Sequence, residues 1–289
     1  MSKIRPETLR VDVGDTELGV VRWPGDGPTV VAVHGITANA WSWSAVARHL
    51  EGRAELLAVD LRGRGASADA PPPFGMRRHA DDLAAICEQL GRDRVVAAGH
   101  SMGAYVVLTC AERHPALVSR LVLVDGGHTV PLPDGMSPQD ALDATIGPAI
   151  ARLQRVWADR VEYRTMWSEH PAFAAGLTPE LERYLLSDLT PCEGGFRSVV
   201  NEQAVRSDGA ELLVDDEMRS LLERRIEPAV VVRAETGLMA TPPPFVGDEW
   251  IDRCPQHDWR FVAGANHYTV LVGDDGASVV ADALVNSPT

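Results

Sequence analysis

The sequence predicts an α/β protein: a mostly parallel sheet with helices on both faces, interrupted once by a long helical insertion. Three observations lead there. Over the first 127 residues, short continuous apolar runs alternate with helix-length segments, the pattern of strands buried on both faces. From about 128 to 225 the alternation stops, and the composition is helical with no convincing buried strand. Alternation then resumes to the end. Residues 1–127 and 226–289 are thus expected to form one core domain, with 128–225 an inserted helical lid. A chain of 289 residues that is 45% apolar can bury a core of that size.

The elements follow in order. Residues 8–13 and 17–23 read as two strands joined by a Gly14-Asp15 turn. Residues 29–33 are a buried strand, followed by a loop and a helix near 42–50. A strand at 55–59 leads to a helix at about 79–90. Strand 94–98, helix 104–113 and strand 121–124 complete the first half. Pro-rich punctuation at 131–138 opens the insertion. Strands at 229–233 and 259–262 and a helix from about 276 to 285 close the chain.

Bulk properties exclude several classes of function. Lys plus Arg number 27 against 41 Asp plus Glu, a formal charge of −14, so most of the surface would repel a phosphate backbone and no nucleic acid is expected as partner. The four cysteines, Cys87, Cys110, Cys192 and Cys254, lie far apart without CxxC spacing, so neither a metal nor a disulfide framework is expected. The first residues contain no apolar signal core, and no 18-residue apolar run occurs. The expectation is a cytoplasmic protein with no membrane partner and no cofactor, acting on a small molecule, with a second copy of itself as the one macromolecular partner left open.

The chemistry centres on Gly99-His100-Ser101-Met102-Gly103. This stretch places a serine where strand 94–98 turns into helix 104–113, with glycines on either side to relieve the crowding of a strained turn. A serine hydroxyl needs a base, a group that orients the base, and donors for the developing oxyanion. Ligands of open α/β sheets bind beyond the carboxyl ends of the strands. The polar residues just past those ends are His34, Asp60, Asp125, Glu235 and His267, all on the edge that holds Ser101.

With His34-Gly35, Asp60-Leu61-Arg62-Gly63-Arg64-Gly65, the elbow at 99–103 and Gly264-Ala265-Asn266-His267, the chain resembles the α/β-hydrolase family over nearly its whole length. The resemblance implies the α/β-hydrolase fold, with eight mostly parallel strands and a helical cap inserted after the sixth. It also implies catalysis by Ser101 with His267 as general base, and an oxyanion hole formed by the backbone N–H groups of Ile36 and Met102. His100 adjoins Ser101 in sequence, but consecutive residues in a tight elbow point apart, which makes it a packing or supporting group. Family members usually carry an aspartate after the seventh strand; here Ala234-Glu235-Thr236-Gly237 has glycine in its place. Asp125, at the end of the sixth strand, is the favoured acid, with Glu235 as the alternative and Asp248 behind it.

Trp41, Trp157 and His34 are the candidate substrate-binding residues, His34 fitting better as an organiser of the oxyanion loop. Asp60, Arg62 and Arg64 read as structural. The function expected is hydrolysis of a carboxylic ester, lactone or thioester of a small, largely apolar molecule through an acyl-serine. Carbon–carbon bond hydrolysis or cofactor-free oxygenation on the same scaffold is the alternative, and a non-catalytic small-molecule binder a third.

Overall fold

The computed structural model describes residues 5–130, 132 and 134–286; Pro131 and Pro133 of the Pro-rich stretch fall outside the described residues. In chain order the strands are β1 (Glu7–Asp12), β2 (Glu17–Trp23), β3 (Thr29–Val33), β4 (Glu55–Val59), β5 (Val95–His100), β6 (Val118–Val124), β7 (Leu189–Cys192), β8 (Gly195–Ser198), β9 (Val230–Thr236) and β10 (Asp258–Asn266). Eight of them form one sheet in the order β1-β2-β4-β3-β5-β6-β9-β10. β1 and β2 pair antiparallel, as do β2 and β4; every other neighbouring pair is parallel.

The reason the central strands read as unbroken apolar runs is visible in their two faces. Val31 and Val33 of β3, Leu57 and Val59 of β4 and Val231 of β9 pack into one cluster with helices Met76–Gln89 and Met102–Arg113. Val30 and Ala32, Leu56 and Ala58, and Val230 and Val232 pack into the other with helices Ser44–Leu50 and Asp274–Val285. Each fully buried valine or leucine side chain contributes roughly 1.5–3 kcal/mol, so neither face could be polar without a large loss. The strands at the functional edge run further than the sequence predicts. β5 reaches His100, β9 reaches Thr236 and β10 reaches Asn266, while the helix after β5 begins directly at Met102.

Between β6 and β9 lies the inserted segment. Its principal helices are Pro138–Gln154, Arg160–Ser168, Pro179–Leu186 and Glu202–Val214. Ser137 and Thr178 accept N–H bonds from the first turns of their helices and each is followed by proline, a residue suited to the first helical position. The expectation of an all-helical insertion is corrected by β7 and β8, which pair antiparallel from Leu189↔Ser198 to Cys192↔Gly195. Gly194 and Gly195 both have positive φ (85° and 145°), and a Cβ on Gly195 would overlap the Trp157 carbonyl. The Glu193-Gly194-Gly195 turn was a hairpin signal submerged in helix-forming neighbours.

Candidate active site

Ser101 sits between β5 and the helix Met102–Arg113 with φ 54° and ψ −121°, a conformation that side-chain-bearing residues rarely adopt. Two glycines make the turn possible. A Cβ at Gly99 would overlap the Gly103 carbonyl, and one at Gly103 would overlap the carbonyl of Val33. The Ser101 N–H donates to the Val124 carbonyl (2.9 Å), so the elbow continues the β5–β6 ladder by one residue. Asp125 repeats the device one strand along: its φ is 45°, and its N–H donates to the Val232 carbonyl (2.8 Å).

The Asp125 carboxylate reaches across the end of β9. Oδ1 accepts the Ala234 N–H (3.2 Å), and Oδ2 lies 2.7 Å from His267 Nδ1 with both side chains buried. This contact fixes Nδ1 as the protonated nitrogen and leaves Nε2 of the neutral ring as the basic one. His267 follows the last residue of β10, where a bulge between Val262 and Asn266 turns the chain inward. His100 supports it from below, donating Nε2–H to the His267 carbonyl (2.8 Å) with the rings 4.9 Å apart. Burial and the neighbouring His267 push His100 down to about 3, so it stays neutral, with Nε2 as its one donor.

Ser101, His100 and His267 line one cavity of about 140 Å³. Its other walls include Ile36, Met102, Leu142, Ile146, Leu213 and Phe245, and no Asp, Glu, Lys or Arg is among the lining residues. The N–H groups of Ile36 and Met102 have no acceptor among the described residues. Met102 opens a twelve-residue helix, whose first N–H groups lack intrahelical partners and carry the positive end of the dipole. The loop bearing Ile36 is pinned from behind. His34 donates Nδ1–H to the Gly35 carbonyl (2.7 Å) and accepts the Leu61 N–H at Nε2 (3.1 Å), and burial holds it neutral by pushing it down to about 3. Arg64 donates Nε–H to the Ile36 carbonyl (2.9 Å) and pairs through Nη1 with Asp208 (2.5 Å), every atom of the pair being enclosed. Asp208 also accepts the Gly75 N–H (2.7 Å) and faces His79 Nε2 (3.0 Å).

Several expected residues lie elsewhere. Glu235 is exposed and accepts the Gly264 N–H (2.6 Å), stabilising the approach to His267 rather than touching its ring. Asp248 is mostly exposed and pairs with Arg233. Trp41 is outside the cavity, edge-on to Trp23 at 5.8 Å and covered by Arg183. Trp157 is enclosed in the insertion's own aromatic cluster, 5.2 Å from Tyr163, and borders a second cavity. His34 stands behind the oxyanion loop, not in the lining, because both its nitrogens are committed to backbone. In the sequence Tyr184 reads only as one of the insertion's aromatic residues, more apt to pack the core than to line a pocket, and Leu238, Phe245 and Tyr268 are not singled out. They come from the insertion and from loops past strand ends, where no short-range pattern marks a lining residue. Among the described residues no three His, Cys, Asp or Glu side chains are grouped to hold a metal ion, and no helix is long and apolar enough to cross a membrane.

Comparison with known proteins places this geometry among relatives. A family model described as the alpha/beta hydrolase fold matches residues 28–274. The 2-(acetamidomethylene)succinate hydrolase of Mesorhizobium japonicum is 26% identical over 277 residues, which is 96% of this chain and 93% of that protein. N-formylmaleamate deformylase of Pseudomonas putida is 37% identical over 106 residues, 36% of this chain and 40% of its own length. The crystal structure of an E-2-(acetamidomethylene)succinate hydrolase superposes with a TM-score of 0.79 at 24% identity, covering 98% of this chain and all of that one.

Proposed function

On the premise that this chain is an enzyme belonging to the alpha/beta hydrolase fold family, we propose that it hydrolyses a carboxylic ester, lactone or thioester of a small, largely apolar molecule through an acyl-serine at Ser101. The observation that carries the reading is the Asp125–His267 contact of 2.7 Å at the wall of the cavity that Ser101 also lines.

The steps follow from the Asp125–His267 hydrogen bond and from the cavity that Ser101 and His267 share. Asp125 holds His267 in the tautomer whose Nε2 takes the Ser101 proton, and it stabilises the imidazolium that results. Ser101 Oγ attacks the acyl carbon. The Ile36 and Met102 N–H groups then receive the negative oxygen, each donor being worth roughly 3–4 kcal/mol in the transition state. His267 protonates the leaving group, then activates water to release the acid and restore the serine. Residues 128–225 act here as a cap, since Leu142, Ile146, Tyr184 and Leu213 close the cavity from the insertion side. The lining without acidic or basic chains favours an uncharged group around the scissile bond.

A second reading changes only the leaving group. Two relatives are named for a 2-(acetamidomethylene)succinate and an N-formyl compound, which supports cleavage of an acyl–nitrogen bond by the same serine. Incubation with a neutral fluorophosphonate tests the common step. A stoichiometric adduct on Ser101, absent in Ser101→Ala, is expected; folded wild-type protein that takes no adduct rules the acyl-serine out. Paired esters and anilides of one acid then rank the two leaving groups.

A further inference from the structure

We propose that a second, larger cavity adjoining the first is a substrate compartment that takes a carboxylate on the Arg152 guanidinium, so that the substrate is apolar at the scissile bond and anionic at its far end. This rests on the reading of Ser101 as the nucleophile. The second cavity has a volume of about 580 Å³ and shares Thr145, Ile146, Ala149, Tyr184, Leu238 and Tyr268 with the Ser101 cavity, so one ligand can occupy both.

Its polarity is one-sided. Arg152, Arg155 and His170 line it, against a single carboxylate, Asp188. Asp188 is already served: it accepts from Tyr163 Oη (2.6 Å) and Ser198 Oγ (2.8 Å) as well as from Arg152 Nη1 (3.2 Å). Arg152 is not. Its side chain is only 11% exposed, yet all its hydrogen bonds use Nη1, to Asp188 and to Tyr163 Oη (3.1 Å). Nε and Nη2 find no acceptor among the described residues. The guanidinium lies over the Trp167 ring at 4.9 Å, which fixes its plane. His170 accepts the Ala172 N–H at Nδ1 (3.2 Å), leaving Nε2–H as a further donor in the same wall.

Nε and Nη2 are not among the fully enclosed polar atoms left without a partner, so they meet the cavity space, where a ligand can reach them. A carboxylate is the group whose two oxygens match that planar fork. Were Arg152 present only to neutralise Asp188, no donors would need to remain open toward the cavity.

The test compares matched substrates on wild type, Arg152→Met and Arg152→Lys. One pair carries the charge on the acyl side (mono-4-nitrophenyl glutarate against 4-nitrophenyl pentanoate). The other carries it on the leaving group (4-acetoxybenzoate against 4-acetoxybenzamide). Wild type is expected to favour the carboxylate member of one pair by roughly ten- to a hundredfold in kcat/KM, the range of hydrogen bonds to a charged group. Arg152→Met should erase that preference, the carboxylate member losing at least about tenfold more in kcat/KM than the neutral member, while fluorophosphonate still labels Ser101. No carboxylate preference in either pair, or equal losses for both members, overturns the inference. If Arg152→Met does not fold, Arg152→Lys decides, because it keeps the charge beside Asp188 but not the fork: a reduced preference supports the site and an unreduced one refutes it. Wild type that takes no fluorophosphonate fails the acyl-serine reading instead.

Discussion

The carboxyl edge of the sheet and the inserted segment solve different problems with the same residue types. At the edge, Ser101, Asp125 and His267 are set by backbone: each lies one residue past a strand, and two of them continue the ladder through their own N–H groups. Within the insertion, Arg152, Tyr163, Asp188 and Ser198 are set by side-chain hydrogen bonds between elements far apart in sequence. The first arrangement tolerates little variation because the sheet dictates it. The second can change with every substitution in the helices that carry it. On the proposed mechanism, chemistry is anchored in the sheet and selectivity is carried by the insertion.

The sharpest way to break this contrast is to exchange the acid. Asp125→Asn keeps the shape but lets the ring of His267 adopt the wrong tautomer, and should lower kcat by about 10⁴ while leaving the fold in place. Glu235→Gln, at the other candidate position, keeps an acceptor for the Gly264 N–H and should leave kcat unchanged. Steady-state rates of the two variants on one activated ester decide between them. A large loss for Glu235→Gln with little for Asp125→Asn would reverse the assignment.

That exchange also marks how far the sequence could be read. Ser101 and its turn were legible because Gly99 and Gly103 are required by close backbone contacts that leave a local signature. Asp125 was legible from its place after an apolar strand, but its competition with Glu235 was not. Only the pairing of β6 with β9 shows which carboxylate clears the end of β9 to meet His267. The fold was legible wherever strands are buried on both faces. The β7–β8 hairpin and the short helices Glu249–Arg253 and Thr269–Val272 escaped notice, being too brief to establish a period. Aromatic character does not say which way a ring packs: Trp41 stacks edge-on against Trp23 outside both cavities, whereas Trp157 packs on Tyr163 and borders the second cavity.

The two regions meet at Arg64 and Asp208, where a carboxylate of the insertion holds the arginine that holds the Ile36 carbonyl. Asp208→Asn leaves a buried guanidinium without its counter-charge and should lower unfolding free energy by about 3–5 kcal/mol. The folded fraction should also show a lower kcat at unchanged KM, because the Ile36 N–H acts on the transition state and not on bound substrate. Urea denaturation and steady-state kinetics on the same preparation read both effects. A midpoint within experimental error of wild type would mean the insertion does not brace the oxyanion loop.

The smallest effect separates the regions by acid. His34, His100 and His128 are pushed down by burial to about 3, 3 and 4, so the folded protein keeps them neutral while the unfolded chain protonates them below about 6.5. Their folded pKa values are depressed, so the unfolded state binds more protons and stability falls as pH drops from about 6.5. Each of His34 and His100 costs about 2 kcal/mol at pH 5. Asp60 works the other way: burial raises it to about 6, the folded state binds its proton first, and about 1 kcal/mol returns by pH 5. The net slope is therefore set by His34 and His100 at the catalytic edge and by His128, the first residue of the insertion. In the insertion, His170 is only partly enclosed and shifts in the same direction. His128 gives the cleanest probe, since its Nδ1 is buried without a partner between the rings of Phe245 and Trp250. His128→Leu removes one uncharged buried ring, and its stability between pH 5 and 6.5 should fall less steeply than wild type by about 1 kcal/mol per pH unit. Parallel slopes for the two proteins would show that His128 carries its proton in the folded state, and that the junction between the sheet edge and the insertion is wetter than its packing indicates.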